Sequence, residues 1–111
     1  MPHCVVEFSS NIQPEPLIEA VFQGALSSQL FADGGSDIKV RAYPCDIHMS
    51  GGNQTSFIHV TLKILSGRTQ QQKLALSETV LQSIAQTHYE SCSTSVEVID
   101  IDRSVYSKIL T

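Results

Sequence analysis

Residues 1–12 read MPHCVVEFSSNI, and this stretch decides how the chain is built. His3 to Phe8 form a compact apolar run that is typical of a β-strand, so the strand begins almost at the first residue. If Met1 is removed, Pro2 becomes a secondary amine at the end of an ordered strand. An amine held in this way can act as a base, although proline in second place is common and is weak evidence alone.

Length and composition limit the class of protein. The chain has 111 residues, of which 41% are hydrophobic, and this predicts one small domain over residues 1–111. A formal net charge of -4 argues against a nucleic-acid partner, because phosphate binding needs clustered cations. No apolar run approaches the roughly 20 residues of a membrane helix, and the first residues lack the basic and apolar regions of a secretory signal. We expect a cytoplasmic protein without a membrane partner.

The cysteines, histidines and serines do not predict a metal centre or a nucleophile. Three widely spaced cysteines without a C-x-x-C pair favour free, buried thiols, and no spacing among the histidines suggests metal ligands. No base motif lies near a cysteine or a serine, so a catalytic triad is not supported. We therefore expect no metal and no disulfide. The residues concerned are Cys4, Cys45, Cys92, His3, His48 and His59.

A helix is predicted after the first strand. Residues 9–11 supply a turn and a candidate helix cap, and Pro14 and Pro16 suit the start of a helix. Apolar residues over 17–30 then recur at a spacing of three and four, which is the helical period. The turn residues of 32–36 end the helix. Its apolar stripe must cover another element.

Two extended segments follow. In the first, residues 38–43, alternation places Lys39 and Arg41 on one face. A strong turn at residues 50–54 separates it from the second, residues 57–65, where apolar and polar residues also alternate. The two segments are predicted to form a hairpin.

The second half repeats the pattern of the first. Thr69 and Gln72 have the T-x-x-Q form of a capping box, which predicts a helix through about His88. Its buried stripe is expected to contain Leu74, Leu76, Val80, Leu81, Ile84 and Ala85. Residues 95–102 alternate as a last strand, whereas the tail, residues 104–111, is ambiguous.

Two consecutive βαβ units define an α+β fold class. Right-handed crossovers place both helices on one face of a four-stranded mixed sheet. The other sheet face is then bare, and in a chain this small such a face usually packs on another subunit. We expect a homo-oligomer that assembles through this face.

Three cations are candidates for binding acids. The first strand and the segment with Lys39 and Arg41 should be parallel, so Pro2 is expected beside both. Neighbouring positive charge and burial lower the pKa of an α-amino group below its ordinary value of about 7.7 to 8.0. Arg68 lies between a strand and a helix, where a guanidinium and free backbone N–H groups can clamp a carboxylate. An exposed arginine without a role is an equally weighted alternative.

MPHCVVEFSSNI and FIHVTLKILSGRT together resemble the 5-carboxymethyl-2-hydroxymuconate Δ-isomerase family of the tautomerase superfamily. Members share an amino-terminal catalytic proline exposed by methionine removal. The resemblance runs from Pro2 through the strand of Val96. It implies a catalytic Pro2 and substrate binding by Lys39, Arg41 and Arg68.

The resemblance also implies the reaction, which is a proton shift in an unsaturated hydroxymuconate-type carboxylate that converts a dienol to a conjugated ketone. It implies no cofactor and no metal, a small-molecule carboxylate substrate and a homotrimer. Lys39 stands where the family is expected to have arginine, and lysine keeps the charge but lacks the planar fork. A tautomerase of another enol or keto acid, and a non-catalytic ligand-binding βαββαβ domain, are the alternatives.

Overall fold

The computed structural model describes all residues, 1–111, and contains four strands and two helices. Two short 3₁₀ helices lie at Asp33–Gly35 and Arg103–Val105. The elements in chain order are β1 His3–Ser9, α1 Pro14–Ser27, β2 Lys39–Cys45, β3 Ser56–Leu65, α2 Gln70–Ala85 and β4 Cys92–Ile101.

The four strands form one mixed sheet in the order β2-β1-β3-β4. β1 is parallel to β2 and antiparallel to β3, and β3 is parallel to β4. The predicted sheet is confirmed, but the predicted hairpin of the two middle segments is wrong. The crossover through α1 returns the chain parallel to β1, and β3 then pairs with the other edge of β1. β1 therefore separates β2 from β3.

Both helices cover one face of the sheet, as predicted. Alternate residues of β1 and β3 point at the helices and are fully or almost fully buried, because side chains alternate between the two faces of a strand. Burying each aliphatic or aromatic side chain of this kind contributes about 1.5–3 kcal/mol. The core consists of Cys4, Val6, Phe8, Ile12, Leu17, Val21, Ala25, Ile38, Ile58, Val60, Leu62, Ile64, Leu76, Val80 and Ile84.

The two helices approach each other closely at Gly24. A Cβ atom at this position would lie 2.9 Å from the Cα of Val80 and 3.1 Å from the Cβ of Ser83. The Ser83 hydroxyl donates a hydrogen bond of 2.6 Å to the carbonyl oxygen of Ala20 in α1. Because glycine has no side chain, α1 and α2 can pack this closely. Neither helix is long and apolar enough to cross a lipid bilayer.

α1 is shorter than its apolar pattern predicts. It starts at Pro14, as expected, but its N-cap is Gln13, whose side chain makes no capping bond, so the predicted cap in residues 9–11 is wrong. The helix ends at Ser27 rather than near Leu30. The Ser28 hydroxyl donates to the Ala25 carbonyl and Gln29 adopts a left-handed φ of 61°, which stops the helix.

α2 begins with the predicted capping box. The Gln72 backbone N–H donates to the Thr69 hydroxyl at 3.1 Å, and the Thr69 backbone N–H donates to the Gln72 side chain at 2.9 Å. The helix ends at Ala85 rather than at about His88, which has a left-handed φ of 58°. Leu74 is 59% exposed and Ala85 is also exposed, so neither belongs to the buried stripe, and Leu81 is only half-buried.

The second face of the sheet is uncovered in the protomer. β3 and β4 present both polar and apolar side chains there, and Ile99 is 42% exposed. β4 also starts three residues earlier than predicted, at Cys92, because its pairing with β3 begins at Ser56. The bare face that was predicted from the placement of both helices on one side of the sheet is therefore present.

Candidate active site

The candidate site lies where β1 and β2 begin and β3 ends. The Lys39 backbone N–H donates to the Pro2 carbonyl oxygen at 3.1 Å, and His3 pairs with Lys39 on one side and Lys63 on the other. This register brings Pro2 next to β2, as the parallel pairing predicts. Pro2 itself is fully buried.

In the chain that carries Met1, the amino group belongs to Met1 and the nitrogen of Pro2 is part of an amide. The Met1 ammonium binds the Asp37 carboxylate and also donates to the Asp37 carbonyl oxygen at 3.1 Å. The Met1 side chain is only 10% exposed. The first residue is therefore an ordered part of this site.

Asp37 binds two further cations. Lys108 Nζ lies 2.7 Å from one carboxylate oxygen and Lys39 Nζ lies 2.9 Å from the same atom. Hydrogen bonds from Lys108, the Met1 ammonium and Lys39, in that order of importance, hold the pKa of Asp37 well below its usual range. No pattern in the sequence singles out Asp37 or Lys108. An isolated Lys in an ambiguous tail carries no local signal of such a contact.

Lys39 and Arg41 lie on the uncovered sheet face, as predicted. Arg41 Nη1 lies 3.2 Å from His3 Nδ1, and His3 Nε2 lies 3.2 Å from the Tyr106 hydroxyl oxygen. Burial, followed by the charges of Arg41 and Lys39, lowers the pKa of His3 below its ordinary value. The tail residue Tyr106 thus joins the site from a distant part of the sequence.

Arg68 lies between β3 and α2, as the sequence indicates. Its Nη2 donates to the Leu30 carbonyl oxygen at 2.5 Å, and its guanidinium lies 5.9 Å from the centre of the Phe31 ring. Both contacts are to the loop after α1, and neither is to a residue of the site around Lys39 and Arg41. In the protomer Arg68 therefore ties β3 to that loop.

A cavity of about 350 Å³ adjoins the amino terminus. Lys108 provides its one cationic side chain, next to Asp33 and Asp37, and Met1 and Leu110 line it from the two chain ends. A second cavity, of about 380 Å³, is lined by Asn11, Ile12, Gln13, Pro16, Ser56, Thr87, Tyr89, Glu90 and Cys92. It has no Lys or Arg, so its chemistry does not suit a carboxylate.

The structure also joins a serine to a histidine and a carboxylate on the uncovered face. His59 Nδ1 lies 2.7 Å from the Ser95 hydroxyl and His59 Nε2 lies 2.5 Å from the Glu97 carboxylate. No base motif lies near Ser95 in the sequence, and it is the pairing of β3 with β4 that brings the three side chains together. No cavity is lined by them. The contacts fasten β3 to β4.

The three cysteines are free, as predicted, but only one is fully buried. Burial raises the pKa of the Cys4 thiol to about 12, while Cys45 and Cys92 are partly exposed. Cys4 belongs to the core face of β1 and contacts apolar neighbours. Its thiol is therefore a packing group.

The fold is that of several solved proteins, each of which is similar to this chain over almost its whole length. The malonate semialdehyde decarboxylase FG41 is similar, at 14% identity and a TM-score of 0.77, over 96% of this chain and 88% of that one. A fused 4-OT symmetric trimer is similar at 18% identity and a TM-score of 0.73, over 92% and 87% of the two chains.

The chain belongs to the 5-carboxymethyl-2-hydroxymuconate isomerase family, whose family model matches residues 2–106. A solved 5-carboxymethyl-2-hydroxymuconate isomerase from Deinococcus radiodurans R1 is similar to it, with 23% identity and a TM-score of 0.75. That likeness covers 99% of this chain and 90% of the other. Comparison with curated proteins gives no match. Family membership supports an isomerase or tautomerase.

Proposed function

We propose that this protein shifts a proton in an unsaturated hydroxymuconate-type carboxylate and converts a dienol to a conjugated ketone. The observation that carries the proposal is the position of Pro2 just before β1. Its carbonyl oxygen accepts a hydrogen bond from the backbone N–H of Lys39. Lys39 and Arg41 share the adjacent sheet face. A base and two cations at one sheet end suit proton transfer in an anionic substrate.

The Pro2 amine acts as both base and acid. Its lone pair takes the proton of the enol hydroxyl, the oxygen forms the C=O bond, and the displaced double bonds shift along the chain. The proton returns from the Pro2 nitrogen to the distal carbon, so one O–H bond is replaced by one C–H bond. Lys39, Arg41 and Arg68 bind substrate carboxylates and stabilise the charge on oxygen. This step uses no cofactor.

The mechanism requires that Met1 be removed. An amide nitrogen has no basic lone pair, so the chain that keeps Met1 is inactive. After removal, the new amine acts in its neutral form, and Lys39 and Arg41 on the adjacent strand are cations that disfavour a further positive charge there. The Asp37 carboxylate has the opposite effect, which is reduced because Lys39 and Lys108 form ion pairs with it.

We further propose that the protein forms a homotrimer through the uncovered sheet face. That face holds apolar as well as polar side chains, including Ile99, and no helix covers it. The similar fused 4-OT protein is a symmetric trimer, which supports the same arrangement here. Sedimentation or light scattering at several concentrations tests this, and a monomer at high concentration contradicts it.

Two other functions are alternatives to this proposal. Lys39 binds Asp37 and lacks the planar fork of arginine, which favours a tautomerase of a smaller enol or keto acid. In a non-catalytic ligand-binding domain, which is the other alternative, the Met1 ammonium can stay bound to Asp37. A panel of phenylpyruvate-like monocarboxylates and hydroxymuconate-type tricarboxylates separates the first from the main proposal.

Intact mass and a proline variant test the mechanism together. Intact mass identifies the fraction of chains without Met1, and Pro2→Ala is then assayed with a hydroxymuconate-type substrate. We expect kcat/KM to fall by about 10²-fold or more, the usual contribution of a positioned base. Pro44→Ala, on the edge strand β2, is the control and keeps its activity. Turnover by the Pro2→Ala variant at the wild-type rate contradicts the proline mechanism.

A further inference from the structure

His3 connects a β-strand cation to a residue of the tail. Its Nδ1 lies 3.2 Å from Arg41 Nη1, and its Nε2 lies 3.2 Å from the Tyr106 hydroxyl oxygen. The His3 and Tyr106 rings meet edge to face, with centroids 6.4 Å apart. Tyr106 is half-buried. Both nitrogens of one imidazole are therefore occupied.

The donor chemistry fixes the tautomer of His3. An arginine guanidinium has only N–H donors, so His3 Nδ1 must accept and carries no hydrogen. The neutral imidazole then has its hydrogen on Nε2, which donates to the Tyr106 oxygen. The hydroxyl hydrogen of Tyr106 is not used in this contact. Tyr106 is left with a free donor beside the residue that follows Pro2.

We propose that the Tyr106 hydroxyl donates a hydrogen bond to the reacting oxygen of the substrate. His3, held by Arg41, is then a positioning residue that orients the Tyr106 hydroxyl. The inference rests on the proposed function, since the reacting oxygen is that of the dienol. A fixed donor at this oxygen stabilises the charge that develops when Pro2 removes the proton. Tyr106 is then a catalytic residue supplied by the tail.

Burial and, after it, the cations around His3 lower its pKa and keep it neutral. Three cationic side chains and the terminal amine lie near His3. Arg41 and Lys39 are on β2, and Lys63 is paired with His3 on β3. Asp37 is the carboxylate that opposes them, and it is bound to cations itself. Protonation of His3 would place a hydrogen on Nδ1 against the Arg41 guanidinium. The contact with Arg41 is thus broken when His3 becomes charged.

Nuclear magnetic resonance tests the tautomer without any assay. In ¹⁵N-labelled protein at pH 7 we expect His3 as the neutral Nε2–H form, with its pKa below the ordinary histidine value of about 6.5. In Arg41→Met, where the donor to Nδ1 is lost, the preference for this tautomer should weaken. A charged His3 at pH 7, or the Nδ1–H tautomer in the wild type, overturns the arrangement.

Kinetics test the role of the hydroxyl. For Tyr106→Phe we expect kcat to fall by about 10²-fold, as for other donors to a developing oxyanion, with KM changed less than about threefold. Tyr43→Phe removes a hydroxyl from an exposed ring on β2 and is the matched control. Unchanged kcat in Tyr106→Phe, with an active wild type, overturns the assignment of Tyr106 alone.

Variants of His3 separate positioning from packing. His3→Gln keeps an acceptor for Arg41 and a donor for Tyr106, so it should retain most of kcat, whereas His3→Leu should match the loss in Tyr106→Phe. Equal activity of His3→Gln and His3→Leu contradicts a positioning role. A wild type that turns over no enol substrate after loss of Met1 overturns the proposed function, and the catalytic role of Tyr106 with it.

Discussion

The Met1 ammonium is bound by both the side chain and the backbone carbonyl of Asp37, so the amino terminus is tied to the residue just before β2. The same carboxylate binds Lys39 and Lys108. One acidic side chain thus connects the first residue, the start of a strand and the carboxyl-terminal tail. Its charge state affects all three.

Replacement of Asp37 should lower stability in a pH-dependent way. The folded protein holds the pKa of this carboxyl below its ordinary value of about 3.9, so the charged form stabilises the fold. That contribution is complete above the unfolded pKa and is lost as the pH falls through the lower folded pKa. The Tm of Asp37→Asn should lie below that of the wild type at pH 6–8, and the difference should shrink below about pH 4.

Thermal unfolding of matched samples, all with Met1, provides the measurement. Asp46→Asn changes an exposed carboxylate without an ion pair and serves as the control, with little effect at any pH. An Asp37→Asn deficit that is as large at pH 3 as at pH 7 contradicts the carboxylate network.

A side chain at Gly24 should push the two helices apart. The new Cβ would meet the Val80 backbone at 2.9 Å, and overpacking of this kind costs about 1–3 kcal/mol. Alanine recovers up to about 1 kcal/mol of helix propensity, so we expect Gly24→Ala to lower the free energy of unfolding by about 1 kcal/mol. Urea unfolding measures it. Gly51→Ala, with no atom within 4 Å, is the control, and equal stabilities would refute the close contact.

Thiol reagents should distinguish the three cysteines. Cys4 is fully buried and its pKa is raised to about 12, so it has almost no thiolate at neutral pH. Iodoacetamide should label Cys45 and Cys92 in the native protein and Cys4 only after denaturation, as read by intact mass. Cys4→Ser should lose one label in denaturant and none in buffer. Rapid native labelling of Cys4 would contradict its burial.

Loss of the Arg68 guanidinium should weaken the fold even without substrate. Its bonds to the Leu30 carbonyl and the Phe31 ring join β3 to the loop after α1, and a hydrogen bond to a charged group contributes about 1.5–3 kcal/mol when sheltered. Since Arg68 is only partly buried, we expect Arg68→Met to cost about 1 kcal/mol in urea unfolding. Lys63→Met, an exposed lysine without an ion pair, is the control and should change little. A rise in KM alone, with stability unchanged, would assign Arg68 to substrate and not to the fold.

Local patterns predict the elements of this fold well. The T-x-x-Q box at Thr69, the prolines at the start of α1 and the alternation around Lys39 each depend on neighbours in sequence, and the structure agrees with them. The pairing of strands is a different problem, because two alternating segments separated by a turn give the same signal whether or not they pair. In the structure β1 lies between β2 and β3, so the hairpin prediction is wrong.

Only part of the candidate site can be predicted from the sequence. The parallel register of β1 and β2 follows from the βαβ order and brings Pro2 to Lys39. Contacts of the tail do not follow from any period, since Lys108 meets Asp37 across 71 positions and Tyr106 meets His3 across 103. Such contacts exist only once the sheet has formed.

The central place of β1 has a consequence for biosynthesis. Of the four strands, β1 is translated first and is flanked on both sides, and its partners β2 and β3 are translated only later. Until residue 65 has emerged, an apolar strand has at least one open edge, which is the kind of segment that aggregates in nascent chains. Folding of this domain therefore cannot be completed during translation of its first half.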